Sequence, residues 1–286
     1  MAKKENLMKF LSGLAAAVFA LSLVACGDDS SDFIAKSGNE SGVKSSSSGT
    51  SSSSFEEEPD VPCDLETEYN EQEGTLTDGR DCHVYKTVKI GDQVWMAENL
   101  NYKVENSYCQ KHDPRNCSKF GRLYTWSGAV DKPSDECEYE RCNPPAGYRG
   151  VCPEGWRLSD IADWNLLIKT VGGETEAKMK LRSTSGWNDG TLNDSAVYVF
   201  CASEDGWDVS YNGTDDYGFT VLPAGNGADL KRDGYCLGVR AAFWLLTEDD
   251  YDRAAAYRVE FQNNYMNMKT MVKNNTYSVR CVKDNE

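Results

Sequence analysis

Few residues of this chain have the type and spacing to do chemistry. It has two histidines, His83 and His112, and His83 falls in a segment that reads as strand. Two imidazoles furnish little acid–base chemistry, and no Cys-x-x-Cys occurs beside them to build a zinc site. Carboxylates are so abundant, 46 Asp and Glu, that residue type alone singles out no glycosidase pair. One stretch does concentrate oxygen ligands. Asp205, Asp208, Asp215 and Asp216 crowd around Trp207, Tyr211 and Asn212. Such a loop could hold Ca²⁺ through carboxylate oxygens, or be a solvated turn. Trp207, Tyr211 and Asn212 are the ligand-binding candidates, because loop aromatics stack on sugar rings or anchor protein partners. The alternative is that these aromatics cap the core. No catalytic residue is assigned, and no cofactor is expected beyond that calcium.

The cysteines carry more information. There are 11, and Cys26 stands apart from the rest. Lys3, Lys4 and Lys9 make a basic start, and Phe10 to Val24 is an apolar run too short to span a bilayer comfortably. Gly27-Asp28-Asp29 ends that run at once. Leu23-Val24-Ala25-Cys26 resembles the lipobox of bacterial lipoproteins, in which the Cys thiol is diacylated, the signal cleaved and the new N-terminus acylated. Residues 1–25 then read as a lipoprotein signal peptide. An ordinary signal that ends near a cysteine, or an uncleaved anchor helix, are the alternatives. With Cys26 lipidated an even number of cysteines is left, and all can pair in an oxidising compartment. Cys109 with Cys117, and Cys137 with Cys142, are close enough in sequence to staple local loops, although geometry can overrule spacing. Formal charge is −16; residues 1–25 carry a net +2, from Lys3, Lys4, Lys9 and Glu5, which leaves −18. That balance argues against nucleic acid and against electrostatic docking on anionic lipid.

These residues must be held by what folds. Residues 26–62 hold the acylated Cys and a Ser-rich tether, with SSSSGTSSSS at 45–54. Nothing there buries a core, so it is expected to be disordered, with a reach of roughly 33 Å. Residues 63–286 form one domain. Val84, Thr87 to Ile90 and Val94 to Met96 predict a hairpin around Gly91-Asp92. Residues 105–150 read as loop, apart from the apolar stretch GRLYTWSGAV. Ser159 is a good N-cap for a helix whose Ile161, Trp164, Leu167, Ile168 and Val171 share one face, and Gly172-Gly173 ends it. A second short helix is expected from Glu174 to Arg182. Short strands follow: VYVFCAS, DYGFTVLPAG, RAAFWLL, AAAYRVEF and YSVRCVK. The fold class is α+β, with one or two short helices early, mostly antiparallel strands late, and disulfide staples. Trp95, Trp126, Trp156, Trp164 and Trp244 lie in apolar-patterned segments and are expected in the core.

Six phrases then fall in a recognisable order: VYKTVKIGDQVWMAENLNY, GRLYTWSGAV, CPEGWRLS, DYGFTVLPAG, AAFWLLT and SVRCVKD. Across about residues 76–284 the chain resembles the Fibrobacter succinogenes major paralogous domain, abundant in exported proteins and lipoproteins of fibre-degrading bacteria. Ser159 departs from the proline common at that place. The late half is similar to the C-type-lectin-like fold shared with formylglycine-generating-enzyme-type domains, where a late cysteine closes onto an early one. The resemblance implies that Cys152 pairs with Cys281. With that pair carried over, Cys201 with Cys236 and Cys63 with Cys82 remain. Trp187-Asn188-Asp189 resembles the calcium site of sugar-binding C-type lectins, but it lies some 90 residues before Cys281 and lacks a Glu-Pro-Asn partner. A turn is the plainer reading. Formylglycine-generating enzymes use reactive late cysteines; the spacing of Cys236 and Cys281 differs, and disulfides explain them.

The expected function is therefore a lipid-anchored protein of the cell envelope, at the outer membrane or surface of a Gram-negative bacterium. Asp28 and Asp29 resemble the acidic surface-export signals of some such groups. Its domain would bind plant-fibre polysaccharide or an envelope protein without catalysis. A structural envelope spacer with no small ligand is the alternative, and a hydrolase or thiol oxidase a further one.

Overall fold

The computed structural model describes residues 63–188, 212–228, 232–249, 255–262 and 265–284. The tether and VYVFCAS lie outside them. Strands start the folded part: β1 (Glu68–Asn70), β2 (Thr75–Thr77), β3 (Val84–Ile90) and β4 (Gln93–Met96) pair antiparallel in succession. The β3–β4 turn is the expected Gly91-Asp92. Gly91 has φ +61°, at the first position of a two-residue hairpin loop, which favours a residue without Cβ. His83 falls just before β3 rather than within a strand.

Residues 105–150, read from sequence as loop, form short regular elements instead. These are β5 (Ser107–Tyr108), a 3₁₀ turn at Gln110–His112, α1 (Pro114–Phe120), β6 (Leu123–Tyr124), α2 (Trp126–Ala129) and α3 (Ser134–Cys137). One- and two-turn helices are too short for an apolar 3.6-residue period to show. Caps and staples set them. Asp113 accepts the Arg115 amide with Pro114 at the first position of α1, and Thr125 accepts the Gly128 amide in α2.

After β7 (Trp156–Leu158) comes α4 (Ile161–Thr170), capped by Asp160 and not by Ser159. Asp160 accepts the Asp163 amide while the Asp163 carboxylate accepts the Asp160 amide, a closed capping box. Ser159 is buried and accepts the Trp164 indole N–H at 3.0 Å. The second helix, α5, spans Glu174–Lys180. DYGFTVLPAG forms no extended strand: Val221 and Gly225 make only isolated bridges, to Arg182 and Ala241. Thr220 at φ +53° and Pro223 interrupt any ladder there. The late strands are β8 (Asn226–Ala228), β9 (Arg232–Tyr235), β10 (Arg240–Glu248), β11 (Ala255–Gln262), β12 (Tyr265–Val272) and β13 (Cys281–Lys283).

The main sheet runs β1-β2-β3-β4-β13-β7, and β10-β11-β12 form a second, antiparallel one. β10 is buried on both faces. In β10, Ala242, Trp244 and Leu246 enter one core with Met96, Trp126, Trp156 and Cys281; Ala241, Phe243 and Leu245 enter the other with Trp95, Trp164 and Val282. A continuous apolar run is what burial on both faces requires. All five tryptophans expected in the core are there, each at most 1% exposed. Disulfides join Cys63–Cys82, Cys109–Cys117, Cys137–Cys142 and Cys152–Cys281. Cys236 is also disulfide-bonded, and Cys201, expected as its partner, lies outside the described residues.

Candidate functional site

Of the residues singled out for binding, Trp207, Tyr211, Asp205 and Asp208 lie outside the described residues, as does the lipidation candidate Cys26. Asn212 and Asp215, which are described, accept hydrogen bonds from neighbouring loop residues. The Asn212 side-chain oxygen accepts the Trp187 amide at 3.0 Å. Asp215 takes the Thr220 amide on one oxygen and the Thr220 hydroxyl on the other, both at 2.7 Å. Asp216 is exposed. Among the described residues no group of three or more Asp, Glu, His or Cys side chains comes together to hold a metal ion. Trp187 of the Trp-Asn-Asp phrase is 4% exposed, and its indole N–H reaches Ser183 Oγ and the Val221 carbonyl. It packs in the core beneath the Arg182 guanidinium, 4.5 Å over its ring.

A site that spacing does not reveal lies at the end of β10. Arg141, Asn143, Pro144, Leu246, Thr247 and Glu248 line a half-open groove of about 240 Å³. One wall is β10 itself, fixed where the Leu246 amide donates to the Ser159 carbonyl at 2.8 Å. The other is the loop after α3, closed on itself by Cys137–Cys142 and turned at Asn143, whose φ is +41°. Asparagine tolerates that left-handed conformation, and Pro144 follows it. Tyr139, on the same loop, is 63% exposed.

An ion pair holds the two walls together. The Lys273 and Glu248 side chains are 1% and 6% exposed, and the ammonium donates to Glu248 Oε1. Lys273 also donates to the Glu140 carbonyl at 2.8 Å. Glu248 Oε1 accepts the Cys142 amide at 3.3 Å, and Oε2 accepts the Asn143 amide at 2.6 Å. Arg141 donates to the Asp249 carbonyl at 2.7 Å, and Lys132 to the Cys142 carbonyl at 3.4 Å. Burial alone would raise the Glu248 carboxyl; the Lys273 ammonium and the two loop amides outweigh it and hold the group below its ordinary value.

The chemistry available follows from this. Glu248 is the one carboxyl of the lining, and it is held ionised, the opposite of what a general acid needs. Arg141, Asn143 and Thr247 offer hydrogen bonds beside Leu246 and Pro144. The groove therefore offers hydrogen bonds of the kind that hydroxyl groups accept and donate. Sequence reasoning missed Glu248 and Lys273 because they stand 25 residues apart. The one signal was Glu248 itself, a carboxylate closing the apolar run of β10. Elsewhere, the buried Arg280 guanidinium is spent on the fold. It donates to Asn99 Oδ1 and to the carbonyls of Met96, Phe219 and Thr220.

The family model described as the Fibrobacter succinogenes major domain matches residues 88–283. No curated protein and no solved structure matches the chain, so the C-type-lectin-like assignment stays with the sequence resemblance.

Proposed function

The chain belongs to the Fibrobacter succinogenes major domain family, and on that premise we propose that it is a lipid-anchored envelope protein whose domain binds neutral plant-fibre polysaccharide without cleaving it. The groove at the end of β10 carries this reading. Its lining is mostly polar, with Arg141, Asn143 and Thr247 placed to hydrogen-bond a hydroxyl-rich ligand. A formal charge of −16, with Glu248 in the lining, favours uncharged hydroxyl-rich ligands over acidic sugars. The cysteine at position 26 supplies the anchor and the Ser-rich tether the reach.

Affinity electrophoresis of the full chain through gels containing soluble xylan, β-glucan or polygalacturonate tests the reading. Retardation by a neutral polymer is expected, and Arg141→Ala with Asn143→Ala is expected to weaken it at least tenfold. Wild-type retardation of that double variant removes this groove as the site, and the same measurement on Trp207→Ala with Tyr211→Ala then tests the other candidate loop. Anchoring is read separately: Cys26→Ser is expected to abolish incorporation of labelled palmitate. One observation favours a structural spacer as the second reading. Lys273 and Glu248 spend much of their hydrogen-bonding capacity on each other and on the loop. No retardation by any polymer, with one protein neighbour recovered by cross-linking in the envelope, would establish it.

A further inference from the structure

We propose that the Cys137–Cys142 disulfide is a redox-responsive latch on the groove wall. The effect on ligand affinity rests on the groove being the binding site; the latch itself does not. Two of the six lining residues, Arg141 and Asn143, flank Cys142 directly, and Pro144 comes next. The bond spans 5 residues, so it fixes the position of this loop and of little else. Its two sulfurs are unequal. Cys137 is fully buried, whereas Cys142 is half-buried beside the groove, with its sulfur 3.7 Å from Glu248 Oε1.

That asymmetry sets the direction of attack. A thiolate of a small dithiol reaches Cys142 Sγ and forms a mixed disulfide there. The Cys142–Cys137 bond breaks, and Cys137 leaves as a thiolate that takes up a proton. The second thiol of the reductant then displaces Cys142. The protein gains two electrons and two protons, and the dithiol becomes a disulfide. The freed Cys142 thiol can donate to the Glu248 carboxylate already beside it. Core disulfides are shielded from the same reagent: Cys152 and Cys281 are fully buried, and Cys109 and Cys117 are each 6% exposed. Cys63–Cys82 is reachable, since Cys82 is exposed, but it gives no residue to the groove.

After reduction non-covalent anchors remain on the wall, among them the Lys273, Lys132 and Arg141 donations and the two amides on Glu248, each a hydrogen bond of modest net worth. Asn143 is also released from the constraint that holds it at positive φ. The loop then samples open positions, and the groove loses one side.

The two amides bound to Glu248 report this directly. Amide hydrogen exchange on the full chain is measured before and after mild dithiothreitol, with the opened cysteines mapped by alkylation. Exchange at Cys142 and Asn143 is expected to quicken at least tenfold once Cys137 and Cys142 are alkylated, while Cys152 and Cys281 stay paired. Cys137→Ser with Cys142→Ser is expected to show the same fast exchange without reductant. Unchanged exchange at both amides, in the reduced protein or in a folded double variant, overturns the proposal, as does opening of Cys152–Cys281 before Cys137–Cys142. If exchange quickens but no polysaccharide binds in either redox state, the groove reading fails and the latch stands.

Discussion

Replacing Lys273 with Met strands the Glu248 carboxylate behind the loop without its cation. Breaking a fully buried pair costs about 3–5 kcal/mol. The groove lets water reach Glu248, so a loss of about 2 kcal/mol is expected by urea denaturation, with Glu248→Gln losing less because it removes the charge. The pair also sets an acid limit. Glu248 titrates below the ordinary glutamate range in the folded protein, held there by the Lys273 ammonium and the two loop amides against burial, so its stabilisation is complete above the ordinary glutamate value and is lost as pH falls through the folded one. Urea midpoints taken from about pH 6 down to about pH 3 should fall less steeply in Glu248→Gln than in the native chain. Arg280 makes a sharper case. Burial pulls its guanidinium down to about 9, still ionised at neutral pH, and the group lies 4.8 Å from the Phe219 ring centre and 5.5 Å from that of Phe243. Arg280→Lys keeps the charge but not the planar fork, and a loss of about 2–4 kcal/mol is expected. Residue identity foretold the tryptophans in the core, because size and apolar context suffice for them. It did not foretell Glu248 or Arg280, whose burial depends on partners distant in sequence.

Elements were legible in proportion to their length and periodicity. The β3–β4 hairpin showed itself by alternation and Gly91, and α4 by five apolar residues on one face. The helices between 110 and 137 did not, since capping by Asp113 and Thr125 is a matter of one oxygen each. The start of α4 was misplaced by one residue for a similar reason. Ser159 and Asp160 both suit an N-cap, and the Trp164 indole claims the serine. Gly121 gives an element-scale test. It ends α1 at φ +74°, where an added Cβ would sit 2.7 Å from Asn99 Cβ and 2.8 Å from the Asn99 carbonyl oxygen. Gly121→Ala is expected to lose about 2–3 kcal/mol, from strain plus displacement of the Asn99 side chain that serves Arg280. Thermal denaturation of the two chains checks this.

For the whole molecule, composition and order were informative and tertiary layout was not. The late apolar run of β10 foretold burial, but not that its two faces would serve two different cores. The family phrases bracketed the domain without placing the groove, which lies between segments far apart in the chain. Residues 53–286 form a compact unit of their own, so a chain starting at Ser53 should keep the thermal midpoint and near-ultraviolet circular dichroism of the longer one. The position of β13 has a further consequence. This strand of three residues sits between β4 and β7, pairing Val282 with both Trp95 and Arg157, while Cys281 closes onto Cys152. β13 is thus made well after β4 and β7, the two strands it joins, since 129 residues separate Cys281 from Cys152. A chain emerging from a ribosome cannot finish its main sheet until β13 is free, and the hairpin made first must wait with an open edge at β4. Assembly is governed by the arrival of β13, and a chain cut before Cys281 would lack both the strand that joins β4 to β7 and the partner of Cys152.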